Sequence, residues 1–269
     1  MVNKYFNVEV KPTILASQLA AHAYSSGDVV FDWHAIDVPK GASRLVGVTA
    51  ILRQKHGTAG NEFPFQLVYA KSIGNVAPSS LGTGSATANG TGYYNNVIGK
   101  STFDVKDYMS DLFDNGIVVA ALTQGGADSE KPSIILEGEP NSGVNVGYDR
   151  LYVGMIAEGA FDFTTAALTD AAVDVSGLSA ATITTIDGTA ADKVFAVGDV
   201  LHAQDDVVIG EITSLDADNI TLRHDGENGT PANFAAWQVQ NGAGTAGDLA
   251  DGDELINVNP IKIILHFEK

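Results

Sequence analysis

The sequence contains no cysteine and few basic residues, and each shortage excludes a class of protein. With 0 Cys among 269 residues, disulfides, thiolate zinc sites and cysteine nucleophiles are excluded, so packing, hydrogen bonding or assembly must stabilise the fold. Lys and Arg number 15 against 33 Asp and Glu, which gives a net charge of -18. Because binding to nucleic acid or to an anionic membrane requires clustered cations, we expect neither as a partner.

Long apolar runs and a signal-peptide pattern are also missing. The longest apolar stretches, residues 117–122 and 261–265, fall far below the roughly 20 residues that span a bilayer. Residues 1–6 alternate polar and apolar side chains, without a basic start, an apolar core and a small-residue cleavage site. This pattern predicts an opening strand.

What the sequence does contain is the pattern of an all-β protein. The 29 glycines, with Asn, Asp and Ser, separate short β-branched runs, as turns separate strands. In the first half we predict strands over 5–10, 29–38, 44–52, 63–69, 117–122, 133–137 and 151–156. Within 29–38 the alternation slips by one residue between Ala35 and Ile36, which predicts a β-bulge. The main domain is predicted to be a β-sandwich or jelly-roll-like fold.

Three segments depart from the strand pattern. In 104–114 the apolar residues Val105, Tyr108, Met109 and Leu112 recur at helical spacing, which predicts a short surface helix. Residues 12–24 follow a proline and are rich in Ala and Leu, which is typical of a helical turn or a packed connecting arm. Residues 79–92 are rich in Gly, Ser and Thr and predict a long mobile loop or an extended arm.

The distribution of charge predicts a second domain. Residues 1–165 hold 16 acidic and 11 basic side chains, whereas residues 166–255 hold 16 acidic and only 2 basic ones, so their net charges are -5 and -14. Within the acidic block we predict short strands over 182–186, 200–203, 207–215, 219–223 and 254–258, with turns at Gly198-Asp199 and at 216–218. That many short strands in so few residues usually close into a small barrel.

The last segment returns to an apolar strand composition. Residues 261–267 are too apolar for an exposed edge strand, so we expect them to pair with strands of the first domain. The main β domain is then residues 1–165 completed by the strand 259–269. Residues 166–258 form an inserted small acidic β-barrel domain.

The search for catalytic chemistry gives little. The 6 histidines show no metal-ligand spacing, no Gly-x-Ser-x-Gly elbow occurs, and the glycines near residue 84 lack the Lys-Ser/Thr ending of a phosphate loop. A glycosidase with paired carboxylates would need an aromatic-lined cleft, and the 2 Trp are far apart in sequence. We therefore predict no catalytic residue, no cofactor-binding residue and no cofactor, and we expect that the protein is not an enzyme.

One acidic turn is a candidate calcium site. Asp251, Asp253 and Glu254 supply hard oxygen ligands in a glycine-containing turn, although their spacing does not match an EF-hand loop. The alternative is a turn in which the aspartates cap backbone amides, and it is the favoured interpretation. The sequence thus predicts no metal site, with these three residues as the calcium candidates.

Several stretches resemble a known family of proteins. Residues 37–47, 136–143, 147–153 and 161–163 resemble virion structural proteins of marine tailed bacteriophages, including cyanophage-like ones. Residues 195–201, 208–210, 219–222 and 249–261 are similar to the small-barrel module and closing strand of such proteins. The likeness covers nearly the whole chain, and its motifs are strand and turn residues with no functional residue to carry over.

The resemblance implies a capsid decoration (cement) protein on the outer surface of the virion head. It implies the major capsid protein as partner and a homo-oligomer, with a trimer favoured, that stabilises capsomer junctions. The alternative is a tail or fibre accessory protein that binds a receptor through a glycan-binding β module. Copy number separates the two, because a decoration protein is present in many copies and a tail protein in few.

Overall fold

The structure is a computed structural model of the chain. It describes residues 4–12, 14, 23–38, 42–53, 62–73, 76–82, 93–108, 117–123, 134–136, 150–162, 167–168, 173–174, 180–184, 195–202, 208–216, 219–223, 248–249, 254–257 and 259–269. Within these ranges no helix has the length and hydrophobicity that crossing a membrane requires.

Strands account for nearly all the regular structure that is described. The strands are β1 (Tyr5–Val10), β2 (Ala23–Tyr24), β3 (Val29–Asp37), β4 (Ser43–Arg53), β5 (Phe65–Lys71), β6 (Val97–Phe103), β7 (Ile117–Thr123), β8 (Ile134–Leu136), β9 (Arg150–Ala157), β10 (Phe161–Asp162), β11 (Ala167–Leu168), β12 (Val173–Asp174), β13 (Ala180–Thr184), β14 (Val200–His202), β15 (Val208–Leu215), β16 (Asn219–Arg223), β17 (Asp248–Leu249), β18 (Glu254–Asn257) and β19 (Ile261–Glu268). A 3₁₀ turn, Val105–Asp107, precedes β7. The predicted all-β fold class is confirmed.

Two antiparallel sheets share the main hydrophobic core. One has the order β1-β19-β4-β7, with β8 also paired to β4, and the other has the order β3-β9-β5-β6. The core combines side chains from both, such as Leu265 of β19 and Val48 of β4 with Phe65 of β5 and Val153 of β9. The two sheets therefore face each other as the layers of a sandwich, whereas the jelly-roll-like connectivity stays a prediction.

The last strand is central to the first of these sheets. β19 pairs with β1 on one edge and with β4 on the other, so the expected pairing of the closing strand with the first domain is confirmed. Its burial alternates strictly, with Ile263, Leu265 and Phe267 facing the core, as a strand with one solvated face requires. Each such buried side chain contributes roughly 1.5–3 kcal/mol through the apolar area removed from water.

The described residues between 167 and 257 form a second group of strands. Six of them make a sheet in the order β11-β18-β14-β15-β16-β13, and β12 pairs with β17. Both predicted turns are present: Gly198 has a φ of +89°, which favours glycine, and Asp216 Oδ1 accepts the Asn219 N–H at 2.8 Å. Among the described residues β11 and β13 do not pair with each other, so barrel closure and the domain boundaries stay predictions.

The prediction of a helix over 104–114 is wrong at the start of this segment, where the chain forms one 3₁₀ turn and then becomes extended. Asp104 and Asp107 form a capping box around the 3₁₀ turn, and Tyr108 then becomes extended. Tyr108 is buried, pairs with Ala120 of β7, and donates its hydroxyl to the Phe63 carbonyl oxygen at 2.8 Å. Its burial against the core therefore ends the helical backbone, and residues 109–114 lie outside the described residues.

One prediction is narrowed by the structure and another needs correction. Of the helical turn or packed connecting arm predicted over 12–24, the described residues favour the packed arm, because Ile14 lies in the core and strand β2 pairs with β10 and stacks Tyr24 on Phe161. Residues 13 and 15–22 lie outside the described ranges. The register of β3 shifts twice between Val29 and His34, so its irregularity lies earlier than the predicted slip at Ala35 and Ile36. A bulge there moves adjacent residues to the same face, and Val30 and Phe31 are accordingly both in the core.

Candidate functional site

The candidate calcium residues are mostly outside the described structure. Glu254 opens β18, opposite Leu168 of β11, while Asp251 and Asp253 lie outside the described residues. Across the ranges that are described, no group of three or more His, Asp or Glu side chains could hold a metal ion. The calcium hypothesis stays a prediction.

Described aspartates in turns accept hydrogen bonds from backbone amides. Asp199 Oδ2 accepts the Ala196 N–H at 2.8 Å, and Asp28 Oδ2 accepts the Ser25 N–H at 2.7 Å. Such bonds fix tight turns by satisfying backbone donors that no strand partner reaches. They illustrate the capping role that the sequence offers as the alternative to a metal site.

A row of polar side chains crosses the solvent-facing side of the five-stranded sheet. His266 Nδ1 lies 2.9 Å from Asn7 Oδ1, and His266 Nε2 lies 3.0 Å from Thr49 Oγ1. A hydroxyl, an imidazole and an amide in this order resemble the nucleophile, base and orienting group of some hydrolases. An oxyanion hole needs unengaged N–H donors, however, and β4 and β19 are hydrogen-bonded to neighbours on both edges. The row therefore ties β1, β19 and β4 together without an oxyanion donor from the two central strands.

The histidines give the protein a predicted pH dependence. Burial lowers the pKa of His266 and of His34 below the ordinary value of 6.5. Because the unfolded chain then binds protons more readily than the folded chain, stability falls as the pH drops through about 6.5 toward the lower folded pKa. We expect His266→Gln to show a smaller loss of melting temperature than the wild type between about pH 7 and pH 5.

His34→Gln and the double variant are measured beside the wild type, because carboxylates that titrate in the same pH range contribute equally to all four proteins and cancel in the comparison. Each single variant should lose less melting temperature than the wild type between about pH 7 and pH 5, and the double variant should lose least. Equal losses in the wild type and all three variants, measured by thermal unfolding, would show that neither imidazole contributes.

The most distinctive surface lies at one end of the β5–β6 hairpin. Ala70 pairs with Val97, the Lys71 N–H donates to the Asn96 carbonyl oxygen at 2.9 Å, and Ile73 forms a bridge with Val76. These bonds bring together exposed apolar side chains: Ile73, Val76, Tyr94 and Val97. Tyr94 is 80% exposed and Val76 is 68% exposed, so both present most of their side-chain area to solvent.

Acidic residues are absent from the sequence around this surface. Residues 63–103 contain no Asp or Glu and two lysines, Lys71 and Lys100, although the whole chain carries 33 acidic residues. Lys100 is exposed on β6, the edge strand that carries Val97. We call Ile73, Val76, Tyr94, Val97 and Lys100 the acid-free surface, because the stretch of sequence that contains them, 63–103, has no acid.

The acid-free surface lies at the opposite end of β5 from the end of β9, the last long strand before residue 166. β9 runs from Leu151, opposite Lys71, to Ala157, opposite Phe65, and the chain continues from there through β10 toward residue 166. The returning chain enters β19 at Ile261, opposite Leu52 of β4. Since β5 has seven residues, about 20 Å of strand separates the two ends.

Of residues 79–92, predicted to form a long mobile loop or an extended arm, the structure describes 79–82, and this part is packed rather than mobile. Leu81 is fully buried with Val29 and Tyr93, and its N–H donates to Asp32 Oδ1 at 2.8 Å. Trp33 Nε1 donates to the Ser79 carbonyl oxygen at 2.9 Å. Residues 79–82 are therefore packed against the outer face of the four-stranded sheet. Residues 83–92 lie outside the described residues.

A cleft of about 340 Å³ lies between the five-stranded sheet and the turn at 196–199. The two lysines that line it, Lys11 and Lys262, lie 3.6 and 2.7 Å from the carboxylate of Glu9. Asp199 adds a second carboxylate to the lining. Among the residues that the structure describes, these acids balance the cations, so the cleft offers no excess positive charge to an anionic ligand.

Comparisons with known proteins leave the family open. No protein-family model matches the chain, and no curated protein sequence matches it. Solved structures of infectious bursal disease virus, Gx and Gt strains, align with TM-scores of 0.16 and 0.12 at 7% and 8% identity, covering 99% and 100% of this chain. The chain spans 40% of the length of each viral chain. Similarity at this level supports no conclusion about fold or function.

The acid-free surface was not among the sequence-derived sites. Its charge pattern is readable from the sequence as a run of 41 residues, 63–103, without an acid in an acidic chain. The exposure of Val76 and Tyr94 could not be predicted from the sequence, because an apolar residue beside a glycine-rich stretch can be either exposed or buried. Leu81 is an example of a buried one.

Proposed function

We propose that the protein is a structural protein of a tailed-phage virion, namely a decoration protein that binds the outer surface of the capsid. It acts by contact with the major capsid protein and with its own copies, and it stabilises capsomer junctions as a homo-oligomer. The resemblance in sequence suggests the virion, and the surface chemistry suggests how the protein works there.

The observation that carries this proposal is the separation of surface types along the sandwich. The acid-free surface lies at the Lys71 end of β5, whereas β9 ends at Ala157, opposite Phe65 at the other end of that strand. Residues 166–255, which follow in the chain, carry a net charge of -14 from 16 acids and 2 bases. Exposed apolar side chains in a stretch of sequence without acids suit contact with protein, whereas a strongly acidic segment favours solvent and keeps particles apart. A protein with these two ends can bind a shell by one and leave the other in solution.

The contact strengths that this role requires are modest. A decoration protein adds contacts across subunit junctions, and several weak patches held in one oligomer gain strength through effective concentration. An assembly role also explains how a chain without disulfides gains stability, because bound partners favour the folded state.

Rebinding to stripped heads tests the proposal. We expect the purified protein to sediment with heads of the phage that encodes it, and to saturate them at many copies per head. Intact virions serve as the control, because their sites are already filled. Binding at a few copies confined to the tail would replace the decoration role by the tail or fibre alternative, and absence of binding would refute both.

A further inference from the structure

No further inference is drawn: the strongest candidate, the patch of exposed apolar side chains at one end of the β5–β6 hairpin, carries nothing further because nothing in the structure shows what covers it.

Discussion

Replacing Phe65 by alanine is expected to lower the free energy of unfolding by about 3–5 kcal/mol. Phe65 is fully buried where the two sheets meet, and its ring stacks on Phe103 with centroids 4.4 Å apart. Phe63 and Tyr108 contact the same ring at centroid distances of 5.6 and 6.5 Å. Alanine would leave a cavity lined by rigid rings that cannot collapse to fill it, so both the transfer and the cavity cost apply.

Urea unfolding followed by circular dichroism measures this loss. Tyr5→Ala is the control, because Tyr5 is an aromatic residue that is 70% exposed on β1, and its removal should change stability by less than about 0.5 kcal/mol. If Phe65→Ala were as mild as Tyr5→Ala, the packing of the two sheets around Phe65 would be wrong.

Gly154→Ala is expected to cost about 1–3 kcal/mol, because a side chain there meets the packed segment 79–82. A Cβ at Gly154 would lie 2.3 Å from Leu81 Cδ1 and 3.3 Å from Trp33 Cε3. Leu81 is fully buried and cannot swing into solvent without losing its contacts with Val29 and Tyr93. The substitution should therefore loosen the segment and raise the exposure of Trp33.

A double-mutant cycle identifies Leu81 as the cause. Leu81→Ala alone should cost about 2–5 kcal/mol, and it also removes the atom that the new Cβ would meet. Gly154→Ala should then be less destabilising in the Leu81→Ala background than in the wild type. Additive losses would mean that Leu81 does not pack over Gly154.

Strands with a regular alternation could be predicted from the sequence. The predicted strand 5–10 matches β1, and 219–223 matches β16, because β-branched and aromatic residues alternate there between turn residues. The pairing of β19 with the first domain was predictable for a related reason. An apolar strand of that length is too costly to leave at an exposed edge.

Other elements could not be predicted because their structure depends on distant partners. β6 contains Gly99 and Lys100 and lacks a clear alternation, and it is a strand because β5 pairs with it. The helical spacing in 104–114 was misleading, since Tyr108 is buried against Phe65 rather than on a helix face. The two-residue strands β2 and β10 are too short to carry any periodicity.

The candidate sites also include features that the sequence predicts and features that depend on contacts between distant residues. The sequence indicates acidic turns correctly, and Asp199 and Asp216 do accept backbone N–H groups. The polar row of Asn7, His266 and Thr49 could not be found, because its members lie on three strands joined only by the sheet register. The acid-free surface combines a readable charge pattern with an exposure that only packing determines.

Electron cryo-microscopy of stripped heads after rebinding tests the central claim most directly. The account predicts density for the added protein at many equivalent positions on the outer surface of the shell, with the sandwich toward the capsid and residues 166–258 pointing outward. Density confined to the tail or a single vertex, or acidic segments buried against the shell, would contradict it.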